Sequence, residues 1–275
     1  MRLSLSLPAF VLAGVFAIPA LAQTAALVEE VPYITTPDNV TLEMLRIADV
    51  KAGDHVIDLG SGDGRIVVTA AKRFGATGLG VEIVPDLVRQ SIDSARRAGV
   101  ADRAAFRQQD IFETDLSPAT VVTLYLLPEF NLRLRPSLLA LKPGTRIVSH
   151  DWDMGDWEPD RTVTLDVPDK KIGREKRSRV HLWRVPAPVQ GLWCAGELQL
   201  QLTQNFQSYR AALQGEGARQ EWTGRIEGVS LLAPLGEPGA PSLIWVNGGI
   251  VSATAAPDLP ARTRFERSPS DRCSG

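Results

Sequence analysis

The feature that most constrains this chain is an apolar run at residues 56–59 followed by the loop Gly60–Gly64, which has glycine at its first, third and fifth positions. A β-branched run that leads into a glycine-rich loop predicts a strand, a tight turn and the start of a helix. A dinucleotide-binding fingerprint needs a glycine at the sixth position, where this chain has Arg65. The spacing therefore disfavours NAD but predicts a small-ligand site, with a plain glycine-rich turn as the alternative.

Two carboxylates, Asp58 and Asp63, flank this turn and indicate the charge of its ligand. They would repel a pyrophosphate, and they would attract a ligand that carries an ammonium and a sulfonium. S-adenosylmethionine (SAM) carries both of these charges. The sequence therefore predicts SAM as the cofactor.

Two further acids follow strand-like runs. Glu82 ends the run 77–82, about 20 residues beyond the glycines, where such folds bind ribose hydroxyls. Asp110 follows the run 104–109 and is predicted to accept a hydrogen bond from the adenine amino group, while Ile111 packs on the ring. The carboxyl ends of parallel strands share one edge of a sheet, so these side chains should converge there. The predicted cofactor-binding residues are Asp58, Gly60, Ser61, Gly62, Asp63, Gly64, Glu82, Asp110 and Ile111.

Strand and helix patterns alternate as far as residue 150. Strands are predicted at 55–59, 77–82, 104–109, 121–125 and 145–150, and helices at about 65–74, 86–98 and 129–141. An earlier helix to about Ala48 is predicted to have Thr36 as its N-cap and Pro37 in its first turn. Strands at 162–167 and 179–183 have no helix between them, so they predict a hairpin. The fold class is therefore α/β: a Rossmann-like, doubly wound, mostly parallel seven-stranded sheet with an antiparallel terminal hairpin.

The composition changes from about residue 186. Polar and apolar residues alternate at 198–202, and glycines separate the short runs that follow, which predicts a small C-terminal antiparallel β module. Its tryptophans are expected in the core, with a binding cup as the alternative: Trp193, Trp222 and Trp245. The predicted division is residues 1–22 as a signal peptide, 23–187 as the SAM-binding domain and 188–275 as the β module.

The N-terminal residues have the pattern of a secretory signal. Arg2 precedes an apolar stretch at 9–18, and Ala20-Leu21-Ala22 is an A-x-A cleavage pattern. We therefore expect cleavage after Ala22 and export to the periplasm, with an uncleaved membrane anchor as the alternative. In an exported chain Cys194 and Cys273 could form a disulfide, and two free thiols are the alternative. Neither cysteine has a partner at metal-ligand spacing, so no metal is predicted.

Charge limits the range of partners. The formal net charge of -2 gives no general reason to expect nucleic-acid binding. The connection between the last two predicted strands is locally basic, with Lys170, Lys171, Arg174, Lys176, Arg177 and Arg179 against Glu175. This segment is either a solvated loop or a surface for an acidic protein or an anionic membrane. The acids beside His150, at 151, 153 and 156, are a weaker alternative as an oxygen-rich cation site.

The segment Asp58–Gly64 resembles motif I of class I SAM-dependent methyltransferases, and the similarity covers roughly residues 31–185. More narrowly, Val31–Tyr33, Val121–Glu129 and Leu141–Ser149 look like the protein-lysine methyltransferases that modify the mitochondrial ATP synthase c-subunit and the adenine nucleotide translocase. This resemblance implies an enzyme that uses SAM, with Glu82 at the ribose position and a protein lysine as the acceptor. A small-molecule methyltransferase is one alternative, and an exported SAM-fold binding or scaffold module without catalysis is another.

A lysine that accepts a methyl group must arrive as a neutral amine, which calls for a carboxylate or a water route for its proton. Glu129 follows the fourth predicted strand and Asp151 follows the fifth, so these are the candidate proton acceptors. Tyr33 and Tyr125 are candidates for aromatic walls or cation-facing rings. At Leu126–Glu129 the chain departs from the Asn-Pro-Pro-Tyr type of motif that many amino methyltransferases carry.

Overall fold

Helices and strands alternate along one open sheet in the computed structural model of the chain. The structure describes residues 34–171, 175–215, 218–233, 240–256, 259–270 and 272–273. The predicted signal peptide and the candidate Tyr33 lie outside these ranges. No helix within them combines the length and the apolar character needed to cross a bilayer.

The N-terminal elements, in chain order, are α1 (Asp38–Ile47), β1 (His55–Leu59), α2 (Arg65–Phe74), β2 (Thr77–Glu82), α3 (Pro85–Ala98), β3 (Ala104–Gln108), β4 (Val121–Leu124), α4 (Pro128–Leu139), β5 (Arg146–His150), β6 (Arg161–Asp166) and β7 (Arg177–Arg184). The seven-stranded sheet has the order β3-β2-β1-β4-β5-β7-β6. Strand β7 is antiparallel to β5 and β6, and the other pairs are parallel. This topology confirms the predicted fold class.

The start of α1 differs from the sequence-based prediction. Pro37 has an extended backbone (φ -58°, ψ 150°) and is itself the N-cap, and no side chain caps the helix. Thr36 is buried, with its Oγ1 3.5 Å from Nδ1 of His150. The prediction of Thr36 as N-cap is therefore wrong, because tertiary packing orients its hydroxyl toward the sheet.

Alternate residues of the central strands pack on opposite faces of the sheet, as pleating requires. Val56 joins a core with Met44 of α1, whereas Ile57 joins a second core with Leu134 of α4. Strand β1 is thus covered on both sides, and only its carboxyl end remains for a ligand. Asp58 stands near that end.

The C-terminal residues form a closed barrel of eight strands, in the order β10-β11-β12-β13-β14-β15-β8-β9. The strands are β8 (Gly191–Ala195), β9 (Leu198–Asn205), β10 (Ser208–Gly215), β11 (Ala218–Glu227), β12 (Ser230–Leu232), β13 (Leu243–Val246), β14 (Gly249–Ser252) and β15 (Arg264–Arg267). Trp193 and Trp222 are buried in its core and Trp245 packs partly buried against it, so these rings do not line a cup. Cys194 and Cys273 form a disulfide.

The barrel contacts the amino edge of the sheet. Arg225 pairs with the buried Asp160, just before β6, and Phe206 stacks on Trp157 with ring centroids 6.1 Å apart. Gly228 lies against Gly144, which precedes β5. Strands β5 and β6 both run away from these contacts, since each is antiparallel to β7. The carboxyl edge is therefore left to the loops of the sheet itself.

The packing of β2 under α2 gives a stability prediction. A Cβ added to Gly78 would lie 2.8 Å from the backbone oxygen of Val56 and 2.8 Å from Val67 Cγ1, whereas one added to Gly53 has nothing within 4 Å. We expect Gly78→Ala to lower the free energy of unfolding by about 1–3 kcal/mol through overpacking. Gly53→Ala, the matched control, should stay within about 0.5 kcal/mol. Urea unfolding followed by circular dichroism measures both, and equal effects would contradict the observed packing.

Candidate active site

Strand order brings the predicted site residues to one edge of the sheet. Strands β1 to β5 are parallel and end at this carboxyl edge, and so does β6, which runs parallel to β5. The edge therefore carries the ends of six strands, and the connection between β6 and β7 also lies there. Asp58, Glu82, Asp110, Tyr125 and Asp151 all lie along it.

The loop after β1 adopts a conformation that requires glycine. Gly60, Gly62 and Gly64 have φ values of 75°, 54° and 78°, in the left-handed region that other residues rarely enter. A Cβ on Gly64 would also lie 2.7 Å from the ring of Phe106. The N–H groups of Gly60 and Ser61 both donate to the backbone oxygen of Val81 at 2.9 Å. The loop is thus held against the end of β2, with its backbone open to a close-lying ligand.

Glu82 fixes this loop. Its Oε2 accepts a hydrogen bond from the Gly62 N–H at 2.9 Å, and its Oε1 accepts from Ile83 and Val84 at 2.8 and 3.0 Å. A carboxylate offers about four acceptor positions, so one remains for a hydroxyl. The predicted contact between Glu82 and ribose stays a prediction, and the structure adds that the same carboxylate orients the glycine loop.

Asp58 is a buried acid at the centre of the edge. Its Oδ1 accepts a hydrogen bond from Thr123 Oγ1 at 2.6 Å. Burial raises the pKa of Asp58 to about 7, and the negative charges of Glu82 and Asp63 add to this rise against the lowering effect of Thr123. A cationic group placed beside Asp58 would favour its ionised form.

Asp63 faces a different partner. Arg65 donates from Nε to Asp63 Oδ1 at 2.9 Å and from Nη2 to Oδ2 at 2.6 Å, and its Nη1 donates to the backbone oxygen of Thr36 at 2.9 Å. Asp63 is therefore paired within the protein, and its predicted part in attracting the cofactor stays a prediction. In the sequence, Arg65 indicates only that the sixth position of the fingerprint lacks a glycine. Its role in joining the loop to the segment before α1 is visible only in the structure.

Asp110 and Ile111 lie where the sequence placed them, after β3. Asp110 Oδ1 accepts from the Phe112 N–H at 2.8 Å and caps a single 3-10 turn at Ile111–Glu113. Ile111 is partly buried against the core that contains α4. Phe112 stacks on Phe130 with centroids 5.8 Å apart. The adenine contact of Asp110 stays a prediction, with its second oxygen left for it.

These residues fit SAM by their chemistry. The ammonium, the ribose hydroxyls and the adenine amino group are all hydrogen-bond donors, and the edge offers acids after three successive strands: Asp58, Glu82 and Asp110. At Gly60, Gly62 and Gly64 the loop has no side chain that could separate its backbone from a ligand. A nucleotide phosphate is an anionic hydrogen-bond acceptor, so a site for it would carry cationic donors in place of these acids.

The opposite half of the edge is formed by Tyr125, after β4, and His150, the last residue of β5. Their rings stack with centroids 3.9 Å apart. Burial and the negative charge of Asp151 raise the pKa of Tyr125 to about 12. Burial lowers the pKa of His150 to about 4, although Asp151 opposes this shift. At neutral pH the Tyr125 hydroxyl is therefore protonated and the His150 ring is neutral.

Asp151, the candidate proton acceptor, holds a lysine. It has a left-handed backbone (φ 63°), and its Oδ1 accepts from the Arg179 N–H at 2.9 Å. Its Oδ2 lies 2.7 Å from Lys170 Nζ, and the two side chains are only 17% and 14% exposed. Sequence reasoning placed Lys170 in a basic surface and missed this pairing, for which a sequence carries no signal. Glu129, by contrast, is exposed on the first turn of α4.

Asp153 and Asp156, two acids after β5, each have a partner within the protein. Asp153 Oδ1 accepts from the Gly155 N–H at 3.0 Å, and Asp156 pairs with Arg135. In the ranges that the structure describes, no three His, Cys, Asp or Glu side chains converge to hold a metal ion.

The basic connection also lies at the carboxyl edge. Lys171, Lys176 and Arg179 are exposed there, and Arg177 pairs with Asp166 at 3.3 Å. Arg174 lies outside the described residues. The exposed members give this edge a positive border next to Asp151.

Comparison with known proteins identifies methyltransferase relatives. The ANTKMT methyltransferase domain family matches residues 58–161. A protein-lysine N-methyltransferase of Saccharolobus islandicus is 44% identical over 141 residues, which are 50% of this chain and 88% of the relative. The human lysine N-methyltransferase of the ATP synthase c-subunit is 33% identical over 176 residues, 61% of this chain and 72% of the relative.

A solved structure is similar to this chain over a comparable share of its length. The crystal structure of an RNA methyltransferase from Salinibacter ruber, in complex with S-adenosyl-L-homocysteine, has 52% identity and a TM-score of 0.52, and it covers 57% of this chain and 96% of that one. The matched family domain begins at the buried Asp58 and ends at the first residue of β6. The chain therefore belongs to the family of SAM-dependent methyltransferases that contains the lysine methyltransferases of the ATP synthase c-subunit and of the adenine nucleotide translocase.

Proposed function

We propose that this SAM-dependent methyltransferase transfers methyl groups to the side-chain nitrogen of lysine in a protein. The observation that carries the proposal is the Asp151 carboxylate, which holds a lysine ammonium at 2.7 Å on the edge where the cofactor-binding acids also lie. The archaeal and animal relatives are all lysine methyltransferases by name, which supports the same acceptor.

The bound cofactor supplies a methyl carbon activated by its sulfonium. Asp58, Glu82 and Asp110 hold the donor in position, so that the protein contributes mainly alignment of the two reactants. Asp151 pairs with the acceptor ammonium and takes up its proton directly or through water, which leaves a lone pair on nitrogen. Tyr125, protonated at neutral pH, offers the wall of an aromatic ring to the incoming cation.

The border of exposed cations beside Asp151 favours an acceptor lysine that lies within an acidic segment. Lys171, Lys176 and Arg179 lie at this edge, and each would attract carboxylates of the acceptor while repelling a basic neighbourhood. Asp151 is favoured over Glu129 as the proton acceptor because Asp151 is partly buried and already pairs with an ammonium, whereas Glu129 is exposed.

The lysine proposal predicts a contrast between two conservative variants. Asp151→Asn should lower methyl transfer to protein lysine by about 10²-fold or more, since the proton loses its acceptor, and Asn also tolerates a left-handed backbone. Glu129→Gln, at the same edge, should cost much less. The measurement is label from methyl-labelled SAM in proteins of a lysate that lacks this chain, with calorimetric SAM binding unchanged as the control.

Other outcomes of that assay would contradict the proposal. Label confined to RNA, the acceptor in the name of the Salinibacter ruber enzyme, or to small molecules would replace lysine as the acceptor. No label in any fraction despite tight SAM binding would favour the binding or scaffold module.

The buried carboxyl of Asp58 predicts that SAM binding depends on pH. We propose that Asp58 pairs with the cofactor ammonium, and this requires the ionised carboxylate. Its pKa of about 7 in the free protein means that binding must expel a proton at lower pH. The association constant should therefore fall by about tenfold for each pH unit below 7. Calorimetric titration with SAM between pH 5 and pH 8 measures this slope.

Asp58→Asn is the matched control, because it keeps the size and the hydrogen bond from Thr123 but cannot ionise. It should bind SAM more weakly at pH 8 and show no such slope between pH 5 and pH 7. A parent protein with a flat profile would remove Asp58 from the ammonium site. In the absence of ligand, the carboxyl ionises near pH 4 in the unfolded chain but near pH 7 in the folded protein, so the free energy of unfolding falls as the pH rises from about 4 to about 7.

We also propose that the chain is exported and cut after Ala22. The disulfide between Cys194 and Cys273 supports this, because such bonds persist in oxidising compartments. The periplasmic protein should begin at Gln23, as read by N-terminal sequencing or intact mass. A cytoplasmic protein that retains Met1 would contradict the proposal, and a membrane-bound protein that retains it would favour the uncleaved anchor.

A further inference from the structure

Lys170 has an environment unlike that of the other lysines in the chain. Lysine occurs at only six positions: 51, 72, 142, 170, 171 and 176. All six are described, and five of them are exposed, whereas the Lys170 side chain is 14% exposed. The chain thus presents one shielded lysine, and it lies in the β6–β7 connection at the carboxyl edge.

The ammonium of Lys170 is oriented by two acceptors. It donates to Asp151 Oδ2 at 2.7 Å and to the backbone oxygen of Arg177. The Lys170 backbone oxygen in turn accepts from Lys176 Nζ at 2.7 Å. Asp151 is the carboxylate that the proposed function gives to the acceptor lysine, so Lys170 occupies the position of that acceptor.

The cofactor edge is close to this position. Strands β1, β4 and β5 are consecutive in the sheet, and neighbouring strands lie about 4.8 Å apart, so the end of β5 is about 10 Å from the end of β1. Tyr125, at the end of β4, stands between them and stacks on His150. The four-carbon stem of lysine is flexible, which allows its nitrogen to move from Asp151 toward the glycine loop.

We propose that Lys170 is itself a methyl acceptor, modified within its own molecule when SAM is bound. The inference rests on the proposed lysine N-methylation. Nζ first loses a proton to Asp151 or to water. Its lone pair then forms the bond to the methyl carbon, the bond between that carbon and sulfur breaks, and its electron pair goes to sulfur to give S-adenosylhomocysteine. No oxidant or further reactant is needed.

Methylation would change the Asp151 pair. Each added methyl group removes an N–H donor from Nζ, so the fully methylated nitrogen keeps its charge but can no longer donate to Asp151 or to the Arg177 oxygen. The modified side chain would thus hold Asp151 less tightly and leave it to an external lysine.

The experiment incubates the full purified chain with SAM that carries a deuterated methyl group, together with the lysate proteins used above. Peptide mapping by mass spectrometry then locates the label. We expect it on Lys170 and not on Lys51, which lies exposed at the amino edge and pairs with Asp49. Lys170→Arg keeps the charge beside Asp151 and should lose the label, and Lys142→Arg, at an exposed lysine before β5, should keep the label on Lys170. An intramolecular reaction also has a rate per molecule that does not change with protein concentration.

The two proposals fail separately in this assay. Lysate lysines that become labelled while Lys170 stays unlabelled would overturn the inference and leave the proposed function standing. A labelled Lys170 with unlabelled lysate lysines would support the inference and contradict an external protein acceptor. Equal label on Lys171 and Lys176, or a rate that rises with protein concentration, would overturn the intramolecular modification of Lys170.

Discussion

The hydrogen bond from the Gly62 N–H to Glu82 is the contact on which the site depends. It joins the glycine loop after β1 to the end of β2 at 2.9 Å. The loop can donate this bond only because its glycines take left-handed backbone angles. With both strand ends fixed in this way, the backbone of the loop and the acids at or near the ends of β1, β2 and β3 lie at one edge of the sheet. The position of the cofactor therefore follows from two neighbouring parallel strands and one buried carboxylate.

The charges along the carboxyl edge are distributed unequally. Asp63 is balanced by Arg65 and Asp151 by Lys170, whereas Asp58 is buried with a hydroxyl as its hydrogen-bond partner. Burial raises the pKa of this acid despite the hydrogen bond from Thr123. A cationic ligand placed beside it would therefore gain the strongest electrostatic attraction when the acid ionises. Asp151 is instead already paired with the ammonium of Lys170. This arrangement suits an exchange in which the ammonium of an acceptor lysine replaces that of Lys170. The two ends of the site thus favour a donor and an acceptor that are both cationic.

The barrel contributes to this protein without reaching the reaction site. Its contacts with the sheet, through Arg225 and Phe206, lie at the amino edge and on the face with Trp157. Its tryptophans pack in its own core or against it, and its disulfide joins β8 to the C-terminal residues. In the proposed function the acceptor therefore approaches the carboxyl edge of the sheet, next to Lys170 and the residues after β5.

The alternation of apolar runs and glycines by itself determined the sheet, the hairpin, the SAM site and the β module, because periodicity and turn chemistry are local properties. The places of Asp58, Glu82 and Asp110 followed from the same reasoning, since strand ends can be read from the chain. Partners distant in sequence could not be read in this way. The Thr36 hydroxyl contacts His150 and does not cap α1. Asp63 pairs with Arg65. Asp151 pairs with Lys170, which lies 19 residues further along the chain in the connection between β6 and β7. Only the tertiary structure decided these pairings, because a side chain's charge state and partner depend on what the fold buries beside it.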